Sequence, residues 1–271
     1  MSLALFHKTA YEQRWTTSIL LGACVLIPIV FVHAFVAFPW EQMSGVLQVP
    51  FVKMMIRVLT GAELEDTFHV EAMGAFAFVH PVMLAISWTC VVVSATRVMA
   101  GEIDAGTADL LLALPVTRLG AYVSVTAWVL LCAPALAAAA WLGVWIGTHT
   151  ADMPEPLDVW WLRLVAVNSA AMLMAAGGIA CLISSLSSRR GRALGVSFAI
   201  LLSSFFLNWL AAFWSPAQKL AFVGILRYFR PFVIVRDNRA QIGDIGTLLI
   251  VAAVAWTLGA WIFSHRDIHT N

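Results

Sequence analysis

Charge is what this chain has least of. Only 11% of its 271 residues are Asp, Glu, Lys or Arg, against 61% hydrophobic, and its mean hydropathy is +0.88. Soluble domains carry about 25% charged and about 45–50% apolar residues. The deficit is concentrated in six windows without a single charged side chain: Trp15–Trp40, Ala72–Thr96, Leu119–Ala151, Leu164–Ser188, Ala193–Gln218 and Ile245–His265. A soluble helix meets water on one face and has no reason to exclude charge so completely. Each window reaches the roughly 20 residues that a spanning helix needs. In lipid the backbone must satisfy its own hydrogen bonds, so each window is predicted helical. The first window is too long for a cleaved signal peptide, and no small-residue cleavage site follows it.

Other absences narrow the chemistry. There is no GxxxxGK[ST] and no Gly-Lys dipeptide, which excludes a P-loop. No HExxH and no CxxC occurs, and the scattered His, Asp and Glu form no ligand pattern, so neither a metal nor another cofactor is expected. Cys24, Cys90, Cys132 and Cys181 each fall inside an apolar window and read as small buried hydrophobes. A net charge of +1 supplies no argument for nucleic acid.

What is present predicts an all-α membrane protein with a single domain over residues 1–271. Its spans are expected near 16–38, 74–96, 119–147, 162–186, 193–214 and 245–264. Six spans put both termini on one side. Arg189, Arg190 and Arg192 crowd the short loop between spans four and five, whereas the loop between spans three and four has three acids and no base. The positive-inside rule therefore places the Arg-rich loop and both termini in the cytoplasm. Lys219, Arg227, Arg230, Arg236 and Arg239 then lie outside, in a longer segment that the rule governs less strictly.

The N-terminal stretch is imperfectly amphipathic. Leu3, Phe6, Ala10, Tyr11 and Trp15 share an arc that His7 and Arg14 interrupt, with Lys8, Thr9 and Glu12 opposite. It reads as an interfacial helix on the cytoplasmic leaflet before span one. On the outer side, residues 49–59 read as a short amphipathic helix. Ser215–Pro216 reads as the start of another over 216–229, ending before Pro231. Gly143 and Gly147, and likewise Gly191 and Gly195, form GxxxG pairs for close packing, within one subunit or at a dimer seam. Asn168, Ser169, Ser184, Ser185 and Asn208 suit hydrogen bonds between spans. His33 and His80 are the intramembrane ionisable groups on which a different reading rests, a His-dependent enzyme or a haem- or metal-handling protein. A non-transporting scaffold is a third.

The polar island between spans two and three is GEIDAGTADLLLALPVTR, Gly101–Arg118, with Glu102, Asp104 and Asp109 close together. Gly106 suits the end of a helix arriving from span two. Thr107 suits the cap of a short helix carrying Leu110, Leu111, Leu112 and Leu114, stopped by Pro115, and Thr117 suits the cap of span three. A short helix along the membrane face, leucines inward and acids toward water, is the expectation.

This segment resembles the permease subunits of type-2 ABC transporters, the ABC-2-type family, which read roughly E-x-E-x-G-T-x-x-x-L-L-x-x-P-x-x-R there. The matches are Glu102, Asp104 (acidic, though not Glu), Gly106, Thr107, Leu111, Leu112, Pro115 and Arg118. The C-terminal FSHRDI, Phe263–Ile268, is similar to the ends of such permeases, whereas the Lys that many members carry just after the Arg is missing from LGAYVSVTAW. The resemblance implies a bacterial or archaeal plasma-membrane protein without ATPase activity of its own. Two permease subunits, in a homo- or heterodimer, would act with two ABC ATPase subunits, most often in export. It also implies that the N-terminal interfacial helix and the segment after span two meet the ATPase. Glu102, Asp104, Gly106, Thr107, Pro115 and Arg118 would then shape or make that contact.

Overall fold

The computed structural model describes residues 2–37, 49–50, 70–107, 116–153 and 159–266. Several sequence expectations fall elsewhere. The helix over 49–59, the leucine-bearing helix with Asp109 and Pro115, and the final Asp267–Ile268 all lie outside the described residues or nearly so.

All regular structure among the described residues is helical. Helix α1 spans Leu3–Ala37. α2, Val70–Val79, and α3, Pro81–Thr96, form one apolar pair bent by 47°. A π-helical turn over Arg97–Gly101 leads into the single turn α4, Glu102–Asp104. Then follow α5, Arg118–Thr150, α6, Leu162–Leu186, and α7, Arg190–Ala211. The short α8, Ser215–Leu220, and α9, Pro231–Asp237, precede α10, Ile242–His265. Among the described residues five helices are each long and apolar enough to cross a membrane, and the bent pair, counted as one span, brings the number to six.

The bend has a local cause. Pro81 cannot donate a backbone hydrogen bond, and it pushes the preceding residue out of the helical region. His80 accordingly takes ψ 132°, and its ring accepts a hydrogen bond from the Val82 N–H, capping α3. Thr117 caps α5 as its sequence position suggests, accepting from the Gly120 N–H at 3.0 Å.

The centre of the bundle is α6, whose most apolar window is 67% buried, against 17% for α1. Small residues permit the approach: a Cβ on Gly178 would come within 2.8 Å of the Ala252 carbonyl oxygen on α10. Polar ties join α5 to α10. The Tyr122 hydroxyl donates to the Trp256 carbonyl at 3.0 Å, and the Trp256 indole N–H donates to the Thr126 hydroxyl at 2.9 Å.

Two sequence expectations are corrected here. The N-terminal stretch is not a separate interfacial helix, because α1 runs unbroken from Leu3 to Ala37. At 1.5 Å per residue it is about 52 Å long, well beyond a hydrocarbon core of about 30 Å. Its first turns pack on α5. The Ser2 N–H donates to the Ser124 hydroxyl at 2.6 Å, and Phe6 meets Trp128 edge-to-face. The buried stripe there is Leu5, Thr9, Gln13 and Thr17, whereas Leu3, Tyr11 and Trp15 face outward. Most of the apolar arc read from the sequence is thus the outer one, and the inward face is largely polar.

The segment before α10 is also more broken than one helix over 216–229. α8 starts at Ser215 without a side-chain cap. It gives way to 3-10 turns over Ala221–Val223 and Ile225–Tyr228, and Pro231 begins α9. Asn168 anchors this strap to α6: its amide donates to the Tyr228 carbonyl at 3.1 Å and accepts from the Arg230 N–H at 3.3 Å. Arg230 in turn holds Asp244, at 2.8 Å from Nε.

Candidate coupling site

The site begins where span two leaves its regular geometry. The π turn over Arg97–Gly101 departs from the normal ladder, and the Ala100 N–H donates to the Ser184 hydroxyl on α6 at 3.1 Å. π turns of this kind are frequent at functional positions.

One turn later the helix ends in a full Schellman motif. The Gly106 N–H donates to the Ile103 carbonyl at 3.1 Å, and the Thr107 N–H donates to the Glu102 carbonyl at 2.9 Å. Gly106 has φ +70°, a conformation that costs any residue with a Cβ roughly 1–2 kcal/mol. The glycine is therefore used for its backbone freedom, and it turns the chain away from α3.

Glu102 is the centre of the site. One carboxylate oxygen accepts from the Lys8 ammonium at 2.8 Å, and the other accepts from the Thr107 hydroxyl. Lys8 also lies 3.5 Å from Glu12, one turn along α1. Lys8, Thr9, Glu12, Gln13, Arg97 and Glu102 line a cleft of about 10 Å³, close to the room one water needs. Burial pushes the Glu102 carboxyl up. The hydrogen bonds from Lys8 and Thr107 and the charges of Lys8 and Arg97 outweigh that, holding it below its ordinary value. For Lys8 burial acts downward, and Glu102 and Glu12 outweigh it, so the ammonium is held above its ordinary value. Both groups are charged at neutral pH.

Asp104 does something its sequence position does not suggest. Its carboxylate accepts from the backbone N–H of Arg190 at 3.3 Å, the first residue of α7. No side chain of α7's own N-cap residue caps that end. A carboxylate there satisfies an orphan donor and complements the positive end of the helix dipole. Arg118 donates to the Arg266 carbonyl at 2.7 Å, while Arg266 donates to the Ser185 carbonyl at 2.8 Å and to the Ser188 hydroxyl. The starts of α5 and α7 and the ends of α3, α6 and α10 are thereby joined at one end of the bundle.

Of the sequence-predicted residues, Glu102, Asp104, Gly106, Thr107 and Arg118 stand within this network, and Pro115 lies outside the described residues. The Thr107 hydroxyl is turned back onto Glu102; the helix it was expected to cap is not among the described residues. Lys8, Arg190 and Arg266 were missed. The only local signal for Lys8 was its i, i+4 spacing to Glu12; its pairing with Glu102 spans 94 residues.

The two GxxxG pairs separate. A Cβ on Gly143 would collide with the Val25 carbonyl, and one on Gly147 would come within 2.9 Å of Val32, so this pair seats α5 on α1. Gly191 and Gly195 meet nothing within 4 Å. His33 rests on the Ile29 carbonyl at 3.0 Å, and His80 caps α3. The described residues contain no group of three or more His, Cys, Asp or Glu able to hold a metal.

The chain matches the family described as ABC-2 family transporter protein over residues 4–268. No curated protein matches the chain.

Proposed function

The chain belongs to the ABC-2 transporter family, and from that premise we propose that it is an exporter subunit pushed by a separate ATPase through the Lys8–Glu102 face. It is a multi-pass membrane protein and a permease subunit of an ABC transporter. The observation that carries the coupling role is the ion pair at 2.8 Å between the first turns of α1 and the end of span two. It joins two distant pieces of chain into one surface beside an abrupt, glycine-terminated helix end. A push there is transmitted to α1, α3 and α7 as a rigid-body motion rather than absorbed by a loop. The face is cytoplasmic in this reading, in a bacterial or archaeal plasma membrane, because the Arg189–Arg192 loop lies at the same end.

The test is co-purification. The tagged chain, purified from its native membranes, is expected to bring down a P-loop ATPase, and Glu102→Lys combined with Asp104→Lys to lose most of it. Undiminished retention and unchanged ATPase stimulation in the double variant would remove this face from the coupling role.

A second permease subunit is proposed to seat on α7, where Gly191 and Gly195 are open and the apolar window is only 22% buried. All four native cysteines are buried. Gly195→Cys is therefore expected to yield a covalent dimer on mild oxidation in membranes, if the partner is a second copy. A purely monomeric product would argue against this seam in a homodimer.

A further inference from the structure

At the end of the bundle away from Lys8 and Glu102, the broken span opens a cavity of about 220 Å³ toward α7. Phe76, Val79, His80, Phe205, Asn208 and Trp209 line it, and among the described residues no Asp, Glu, Lys or Arg does. Its walls are aromatic and aliphatic, and its two convergent polar side chains are His80 and Asn208.

The helix break sets what those side chains offer. The His80 Nδ1 accepts the Val82 N–H at 3.3 Å, so it keeps its lone pair, and the neutral ring carries its proton on Nε2. Phe31 and Phe76 hold the imidazole in place, with ring centroids 4.4 and 5.5 Å away. Among the described residues none accepts from Nε2, and none hydrogen-bonds the Asn208 amide. Both side chains are only half-buried, so their free donor and acceptor atoms are open to whatever occupies the cavity. One ligand oxygen satisfies the His80 donor, and a carbonyl or hydroxyl serves Asn208, which both donates and accepts. A charged head would find no counter-ion among the described lining residues.

We propose that this cavity binds the head and first carbons of an uncharged, lipid-like amphiphile bearing ester or hydroxyl oxygens. The volume is below the roughly 300–1,000 Å³ of sites that enclose a drug-sized ligand. The rest of the tail therefore lies outside, along the exposed Leu202 and Phe206 of α7. Nothing in the proposal depends on the transport reading, since its test needs neither ATP nor an ATPase.

The experiment uses the full chain in phosphatidylcholine nanodiscs and a diazirine-bearing diacylglycerol as probe. The expected result is saturable labelling, mapped by peptide mass to the α2–α3 break and to α7. Monooleoylglycerol should compete, and added phosphatidylcholine should not, which separates a selected ligand from bulk bilayer lipid. Asn208→Leu, which removes the amide and keeps the bulk, is expected to weaken labelling about three- to tenfold, the worth of one hydrogen bond. Val79→Trp, which fills the cavity, is expected to abolish it, with unchanged gel-filtration and melting behaviour showing that the fold is kept. Labelling that does not saturate, is unaffected by both variants, or is matched by a diazirine phosphatidylglycerol would overturn the proposal.

Discussion

Gly143→Leu is expected to separate α1 from α5 and to lower the melting temperature more than any other single change on these spans. A Cβ at Gly143 would overlap the backbone carbonyl of Val25, and the Val25 Cα would lie only 3.1 Å away. A backbone carbonyl, unlike a side chain, has no rotamer by which to escape. α1 must move as a body, taking with it the Gly147–Val32 contact one turn further along. Overpacking costs about 1–3 kcal/mol even where side chains can adjust. A cost at the upper end corresponds to a fall of roughly 6–12 °C, at about 2–4 °C per kcal/mol. Gly191→Leu is the internal control. It meets open space, so the isolated subunit should melt within about 2 °C of the wild type. Equal losses in the two variants would mean that GxxxG acts here through backbone propensity and not through contact.

Reversing the charges at the coupling face should have the largest functional effect. Lys8→Glu and Glu102→Lys each place like charges where opposites sit 2.8 Å apart. The pair is partly exposed and screened, so its loss alone is worth about 0.2–1 kcal/mol, and the new repulsion adds a similar amount. Hydrogen exchange of residues 3–12 is expected to rise in both single variants. The exchanged pair, Lys8→Glu with Glu102→Lys, should restore it. ATPase stimulation in the double variant then discriminates two roles. Recovery means that Glu102 acts by holding α1; continued loss means that its carboxylate itself meets the ATPase.

The pH dependence has a definite sign. The Glu102 carboxyl is depressed below its reference value of 4.5, so its contribution is fully present above about that pH and is lost as pH falls through the lower folded value. The Lys8 ammonium is raised above 10.5, so its contribution is full below that pH and is lost as pH rises through the higher folded value. Protection of residues 3–12 relative to the Glu102→Gln variant should therefore form a plateau across neutral pH and vanish in acid.

The spans were legible because lipid imposes one rule at every position. A charge-free run long enough to cross has no alternative to helix, and the structure places helices in all six windows. The break at His80 was not read from the sequence, although Pro81 carries its cause, since the proline constraint acts on the adjacent residue. Gly106 ended its helix as read, because a Schellman turn needs a positive φ within a few residues of the last carbonyls. Sequence pattern misled at the N-terminus, where the amphipathic arc suggested a separate interfacial helix and the stretch is instead the start of the continuous helix α1. In a membrane bundle the outer face can be the apolar one, so the inward stripe through Thr9, Gln13 and Thr17 went unread.

By itself the sequence determined that this chain is an all-α membrane protein of several spans with one polar, glycine-broken turn after its second apolar window. Those features depend on hydropathy and backbone conformation, which act within a few residues. Tertiary structure alone decided who meets whom. Lys8 pairs with Glu102, Asp104 caps α7, Gly143 receives α1 while Gly195 stays open, and Asn208 joins His80 at a cavity. Each joins residues dozens of positions apart, and in a bundle of similar apolar helices only the packing of whole spans selects such partners.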